Sequence, residues 1–192
     1  ERCLSDIGAD AIKIGMLGSA EIAQSVCVTL MERAAGIALV VDPVMVATSG
    51  AALADDGVVD VLKTSLFPRA TLITPNLPEA ARLCGFALET GDDLRRAGAK
   101  LLALGPKAVL IKGGHGGSDT VTDLLFTPNA DPRAYIAKRL QTRNTHGTGC
   151  TLATAIACGL GAGMPLGDAV QSAHDFVQRA IRTAPGFGAG NG

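Results

Sequence analysis

The stretch ATLITPNLPEAARLCG, residues 70–85, carries the reading that decides the fold class. Its first six residues form a short apolar run with the branched and threonine side chains that suit a strand, and its remainder has helical period. Asn76 stands where a helix cap belongs, with Glu79 three residues on, the spacing at which a capping box closes. A strand thus feeds directly into a helix. The same order recurs along the chain. AIKIG near residue 11 reads as a strand, residues 19–36 as a helix capped by Ser19, IALVVD from Ile37 as a buried strand, and residues 55–67 as a helix. DDLRRAGAKLLALG reads as a further helix before the strand AVLIKGG, and VTDLLFT with AYIAKRL as an antiparallel pair around the turn PNADP. Two last helices start near Gly147 and Leu166, separated by Gly163, Met164 and Pro165.

Strands that are apolar on both faces and alternate with helices call for a mostly parallel sheet covered on each side. The expected fold is therefore an α/β, three-layer α/β/α domain. A chain of 192 residues with 47% hydrophobic residues suits one such domain with a substantial core. Formal net charge is −1, from 17 basic and 18 acidic residues without long runs of either sign, so neither a nucleic-acid nor a membrane surface is expected. Tryptophan is absent and tyrosine occurs once, which also argues against a base-stacking platform. Five cysteines at irregular spacing, with no CxxC pair, fit a reducing cytoplasm. No apolar run approaches the roughly 18 residues that span a bilayer, so a soluble intracellular protein is expected.

In open parallel sheets ligands collect beyond the carboxyl ends of the strands, and the polar residues of this chain fall there. Asp42 ends IALVVD, Asn76 and Glu79 follow LITP, Lys112 ends AVLIK, and NTHGTGCT (144–151) precedes a helix. Gly147 and Gly149 let backbone N–H groups converge on an anion, and the first turn of the helix adds its unpaired donors and dipole. A thiol, Cys150, stands in that first turn, at the end of a helix where anionic groups are favoured. A carboxylate, an amide with a carboxylate, a cation and an anion cradle on one edge suit phosphoryl transfer, which needs Mg²⁺, a cation for the moving group, backbone donors and a group to orient the acceptor.

Each residue also has a plainer reading. Asp42 precedes Pro43 and could be a turn residue, Asn76 and Glu79 could serve only as a capping box, and Lys112 could be a solvated strand end. The glycines beside Lys112, in GGHGG, suggest close backbone approach to a ligand. His115 and His146 read as loop hydrogen-bonders, because neither has a second histidine at ligand spacing. Cys150 and Cys158 could be small buried fillers of one helix. GxxxxGK[ST] is absent, which excludes a P-loop kinase, and no GxGxxG follows the first strand.

KIGML at Lys13, DPVM at Asp42, LITPNLPEA at Leu72, LIKGGH at Leu110 and NTHGTGCT at Asn144 together resemble the hydroxymethylpyrimidine/phosphomethylpyrimidine kinases of thiamine biosynthesis, within the ribokinase-like superfamily. The resemblance runs from about residue 6 to about residue 190 of the printed sequence. It implies an ATP- and Mg²⁺-dependent kinase that phosphorylates 4-amino-5-hydroxymethyl-2-methylpyrimidine and then its monophosphate, working as a cytoplasmic homodimer. By position, Cys150 matches the family's catalytic residue, where most ribokinase-like sugar kinases have aspartate. Gly147, Thr148 and Gly149 would supply backbone donors to the phosphoryl group, and Lys112 matches the lysine near the phosphates. Asp42 and Glu79 would hold Mg²⁺, while Asn76 and Thr145 would join the nucleotide site. Met16 and Val44 match positions lining the pyrimidine pocket.

The resemblance further implies that a first strand, a glycine-rich turn and pyrimidine-contacting residues stand before KIGML, so that residues 1–192 are expected to be a partial ribokinase-like kinase domain with an exposed sheet edge. GFGAGNG resembles the start of a C-terminal motif of the family. A pyridoxal kinase of the same superfamily is the second enzymatic reading, and a catalytically idle nucleotide-binding module is the reading from another class.

Overall fold

Among the described residues six strands assemble into one sheet whose spatial order is their order in the chain. The computed structural model describes residues 2–45, 54–114 and 119–185. A short helix α1 (Arg2–Asp6) precedes β1 (Ala11–Ile14), α2 (Ala20–Arg33) and β2 (Ala38–Val41). Then come α3 (Asp56–Val61), β3 (Leu72–Ile73), α4 (Leu77–Cys84), α5 (Gly91–Leu102) and β4 (Val109–Ile111). β5 (Thr120–Phe126) and β6 (Arg133–Lys138) form the hairpin, and α6 (Thr148–Gly161) and α7 (Leu166–Arg182) close the described chain. β1 to β4 run parallel, with Lys13 beside Val40, Val41 beside Ile73, and Ile73 beside Val109. β4–β5 and β5–β6 are antiparallel.

Period-two alternation divides the apolar residues of the parallel strands between two cores. Leu39, Val41, Ile73 and Ile111 pack with Leu30, Leu66, Phe67 and Leu101 of the helices on one face. Val40, Leu72 and Leu110 pack with Leu152, Ile156 and Val170 on the other, against α6 and α7. The three-layer expectation is met, because strands buried on both faces need a helix layer on each.

Local signals explain the element starts. Ser19 caps α2 through its hydroxyl, which accepts from the Ile22 N–H, and α4 opens on a complete capping box. The helix read over residues 55–67 is helical throughout but not uniform. It passes at Leu62 into a π-helical turn and then, at 67–69, into a 3-10 turn containing Pro68, which has no N–H for an α-helical ladder. β3 is only two residues long by ladder pairing, although bonds from Thr71 N to Leu39 O and from Thr74 N to Val41 O extend its contact with β2. α1, absent from the sequence reading, buries no residue and so carries no apolar period. No described helix is long and apolar enough to cross a membrane.

Candidate active site

The carboxyl ends of β2, β3 and β4 bring Asp42, Asn76 and Lys112 to one edge. Lys112 and Asn76 pair as an isolated parallel bridge, with the Lys112 N–H donating to the Pro75 carbonyl at 2.9 Å. From there the Lys112 ammonium reaches Asp42 Oδ1 at 2.7 Å, and the Thr74 hydroxyl donates to the same oxygen at 3.0 Å. The Lys112 side chain is 13% exposed and that of Asp42 2%, so the pair is buried. This excludes the plainer readings of Asp42 as a turn residue alone and of Lys112 as a solvated strand end. A buried pair of this kind is costly to break from one side, at about 3–5 kcal/mol.

The capping box at α4 is real, and Glu79 has more than one neighbour to answer to. Its Oε2 accepts from the Asn76 N–H at 2.8 Å, and Asn76 Oδ1 accepts from the Glu79 N–H at 2.9 Å. Burial pushes the Glu79 carboxyl above the usual carboxylate range; Lys112 and the N–H groups of Asn76 and Met45 oppose that rise, while Asp42 adds to it. Cap and site therefore share one carboxylate. Asp42 and Glu79 are hard oxygen donors beside a cation, and no larger cluster of His, Cys, Asp and Glu that could hold a metal occurs among the described residues. Such a pair fits Mg²⁺, which is commonly held by one or two carboxylates together with water and substrate phosphates.

Lys112 also meets the start of α6. A Cβ placed on Gly149 would lie 3.1 Å from Lys112 Nζ, so the glycine leaves room for the ammonium beside the first helical turn. Gly147, the residue before α6, has φ 76°, a left-handed conformation that glycine adopts without the Cβ penalty, and no side chain caps the helix. The Thr148 N–H makes a long contact, 3.4 Å, to the Thr145 carbonyl, and the other N–H groups that open the turn have no helical partner and suit an anion. The loop is braced from within: the Thr148 hydroxyl donates to the Thr145 carbonyl, and that of Thr151 to the Gly147 carbonyl. Cys150 is exposed, as is Cys158, which contradicts the buried-filler reading of both. A groove of about 700 Å³ runs from Cys150 between α6 and α7, past Thr154, Cys158, Phe176 and Arg179. It borders the phosphate-type site at Cys150 and Thr151.

Met16 and Val44 follow the carboxyl ends of β1 and β2, Met16 well exposed and Val44 half-buried. His146 and Thr145 are exposed in the loop before α6. His115 and the closing GFGAGNG lie outside the described residues, as does most of GGHGG beyond Gly114. At Gly113 a Cβ would collide with the Thr122 carbonyl of β5, so packing against the protein itself already requires glycine there. Sequence reasoning did not single out Asp123 and His174. Asp123 is buried on β5, accepts from the Gly113 N–H at 2.9 Å, and lies 3.7 Å from His174 Nε2 of α7. The available signal was a lone carboxylate inside the apolar run VTDLLF.

The family model described as phosphomethylpyrimidine kinase matches residues 1–192. A hydroxymethylpyrimidine/phosphomethylpyrimidine kinase of Streptomyces coelicolor is 46% identical over 98% of this chain and 69% of its own length. A thiamine biosynthesis bifunctional protein of Geobacter sulfurreducens is also 46% identical over 98% of this chain, which spans only 38% of that relative. Among solved structures, the pyridoxal kinase of Staphylococcus aureus in complex with AMP-PCP and pyridoxal superposes with TM-score 0.87 at 34% identity, covering 98% of this chain and 67% of that one. Motifs, fold and relatives agree: the chain belongs to the phosphomethylpyrimidine kinase family.

Proposed function

We propose that this chain carries the catalytic edge of an ATP-dependent kinase that phosphorylates 4-amino-5-hydroxymethyl-2-methylpyrimidine and then its monophosphate to the diphosphate. The observation that carries the reading is the convergence of Lys112 on both Asp42 and the uncapped, glycine-built start of α6, with Cys150 exposed in that first turn. Backbone donors at Gly147, Thr148 and Gly149 receive the transferring phosphoryl group, and Lys112 offsets its charge. Asn76 and Thr145 complete the nucleotide side. Mg²⁺, when held by Asp42 and Glu79, neutralises phosphate charge. Met16 and Val44 line the acceptor side.

In the first step the hydroxymethyl oxygen bonds to the γ-phosphorus as the bond to the β,γ-bridging oxygen breaks. The hydroxyl proton passes to the Cys150 sulfur. An alcohol is far less acidic than a thiol, so that transfer accompanies phosphoryl movement, and a loose transition state asks little of the base. In the second step the acceptor is already a phosphate oxygen, and Cys150 has no hydroxyl proton to take. The protein works as a homodimer in a reducing cytoplasm, in keeping with free cysteines at all five positions.

The likeness to a pyridoxal-bound kinase supports pyridoxal as a second acceptor to test. ATP consumption by the full protein with the pyrimidine alcohol, its monophosphate and pyridoxal, side by side, decides the substrate. Faster turnover of pyridoxal would replace the pyrimidine reading. Nucleotide binding without turnover of any of the three would replace it with an idle nucleotide-binding module.

A further inference from the structure

Asp123 is a buried carboxylate in a strand whose other buried residues, Leu125 and Phe126, are apolar. At 4% exposure it has been taken from water, which pushes its carboxyl up from the usual range against the pull of the Gly113 N–H, His174 and Lys112. A core position that gains nothing from a carboxylate is expected to be apolar. What Asp123 holds is specific. Its Oδ1 accepts from the N–H of Gly113, the residue directly after Lys112, at 2.9 Å. The Lys112 N–H is itself fixed to the Pro75 carbonyl at 2.9 Å. Two successive backbone donors therefore clamp the peptide from which the Lys112 side chain departs. A third constraint comes from Gly113, whose α-carbon is pressed so closely on the Thr122 carbonyl that no Cβ fits.

Behind Asp123 stands His174 of α7, 6% exposed, with Nε2 3.7 Å from Asp123 Oδ2. α7 is itself tied to the sheet: Tyr135, opposite Asp123 in the β5–β6 register, donates its hydroxyl to the Gly167 carbonyl at 3.0 Å. The chain of contacts thus runs from α7 through His174 and Asp123 to Gly113 and Lys112.

We infer that Asp123, backed by His174, is a positioning residue that sets the Lys112 ammonium for the nucleotide phosphates. The inference deepens the kinase reading and rests on it for Lys112 as a phosphate-binding group. Asp123 does not touch the nucleotide; it fixes the backbone on which Lys112 is built, and a displacement near one ångström suffices to cost a reaction about a hundredfold.

The test measures affinity of the full protein for AMP-PCP, together with kcat and the KM values for ATP and for the alcohol, in Asp123→Ala, Asp123→Asn, Lys112→Met and the double variant Asp123→Ala/Lys112→Met. Asp123→Ala is expected to weaken AMP-PCP binding by about thirtyfold and to raise the KM for ATP without raising that for the alcohol. Asp123→Asn keeps an oxygen facing the Gly113 N–H and is expected within about threefold of wild type. The double variant is expected to be no weaker than Lys112→Met by more than about twofold, because a residue acting through Lys112 has nothing left to position. Should Asp123→Ala not fold, His174→Phe replaces it, with a weakening of about fivefold that likewise vanishes beside Lys112→Met.

Independent, multiplying effects of the two sites would overturn the inference. So would an Asn variant as damaged as the Ala variant, a Lys112→Met protein that binds AMP-PCP like wild type, or a lowered melting temperature with unchanged nucleotide affinity. Since AMP-PCP affinity needs no acceptor, wild-type protein that binds nucleotide but turns over no pyrimidine refutes the substrate proposed above and leaves this comparison to be decided on its own.

Discussion

Two helices begin at the active edge of the sheet, and they begin in opposite ways. α4 starts closed: Asn76 and Glu79 satisfy each other's backbone N–H groups in a reciprocal box. α6 starts open: Gly147 turns through a left-handed conformation, and no side chain caps the helix behind it. The closed end spends its polar groups on holding the helix and keeps one carboxylate facing the cation at Lys112. The open end leaves its donors to whatever anion arrives. One edge thus combines a fixed negative wall with a positive floor, an arrangement suited to a phosphate that brings its own metal.

Closing the open end is the strongest way to break that contrast. Gly147→Asp sets a carboxylate where the phosphoryl group is received, and turnover is expected to fall by about 10²–10³-fold; because φ at this position is 76°, the added side chain is strained and the thermal midpoint is expected to fall as well. Retained turnover in steady-state assays would mean that the α6 start is not the phosphoryl site. Next in size is Cys150→Ala, which tests the thiol that sits in this open turn. Turnover of the alcohol is expected to drop by about a hundredfold and that of the monophosphate by less than tenfold. Equal losses in the two steps, measured separately, would remove Cys150 from the role of base.

Opening the closed end should cost stability rather than chemistry first. Asn76→Ala removes the acceptor for the Glu79 N–H and is expected to lower unfolding free energy by about 1 kcal/mol in denaturant titration. Glu79→Gln separates the two duties of that residue, because its amide oxygen can still accept from the Asn76 N–H while the charge is gone. Stability within about 0.5 kcal/mol of wild type, with a raised Mg²⁺ requirement, is the expected pair of results. An unchanged Mg²⁺ requirement would confine Glu79 to the cap.

The same contrast explains what could be read in the sequence. The α4 box was legible because its two members sit three residues apart, and local spacing is what a sequence displays. The parallel core was legible because strands buried on both faces, such as that around Val40 and Val41, show uninterrupted apolar runs. Cys150 and Lys112 were legible by motif, but the meeting of Lys112 with Asp42, across 70 positions, was legible only as a shared sheet edge. The need for glycine at 113 comes from the Thr122 carbonyl of β5, a contact that no local spacing displays. The Asp123–His174 pair escaped because it joins β5 to α7, with no local pattern linking the two.

A second capping box, at α5, supplies the smallest and cleanest test of how environment decides what such a box does. Thr90 accepts from the Asp93 N–H at 3.1 Å, and the Thr90 N–H and hydroxyl donate back to Asp93 Oδ2 at 3.0 and 2.7 Å. The motif matches that of α4, but it lies on the surface. Here the Thr90 hydroxyl, then the Thr90 N–H, hold the Asp93 carboxyl below the usual range, whereas burial drives Glu79 above it. A lowered carboxyl stabilises the fold above the unfolded-state pKa, and that contribution is lost as pH falls through the lowered value. Thr90→Ala removes the donors' hydroxyl and the cap acceptor together. Its stability deficit against wild type is therefore expected to be full at neutral pH and to shrink in acid, as Asp93 protonates in both proteins. Chemical denaturation at a series of pH values reads this directly, and a deficit constant down to strong acid would show that the ionised carboxylate contributes nothing to the box.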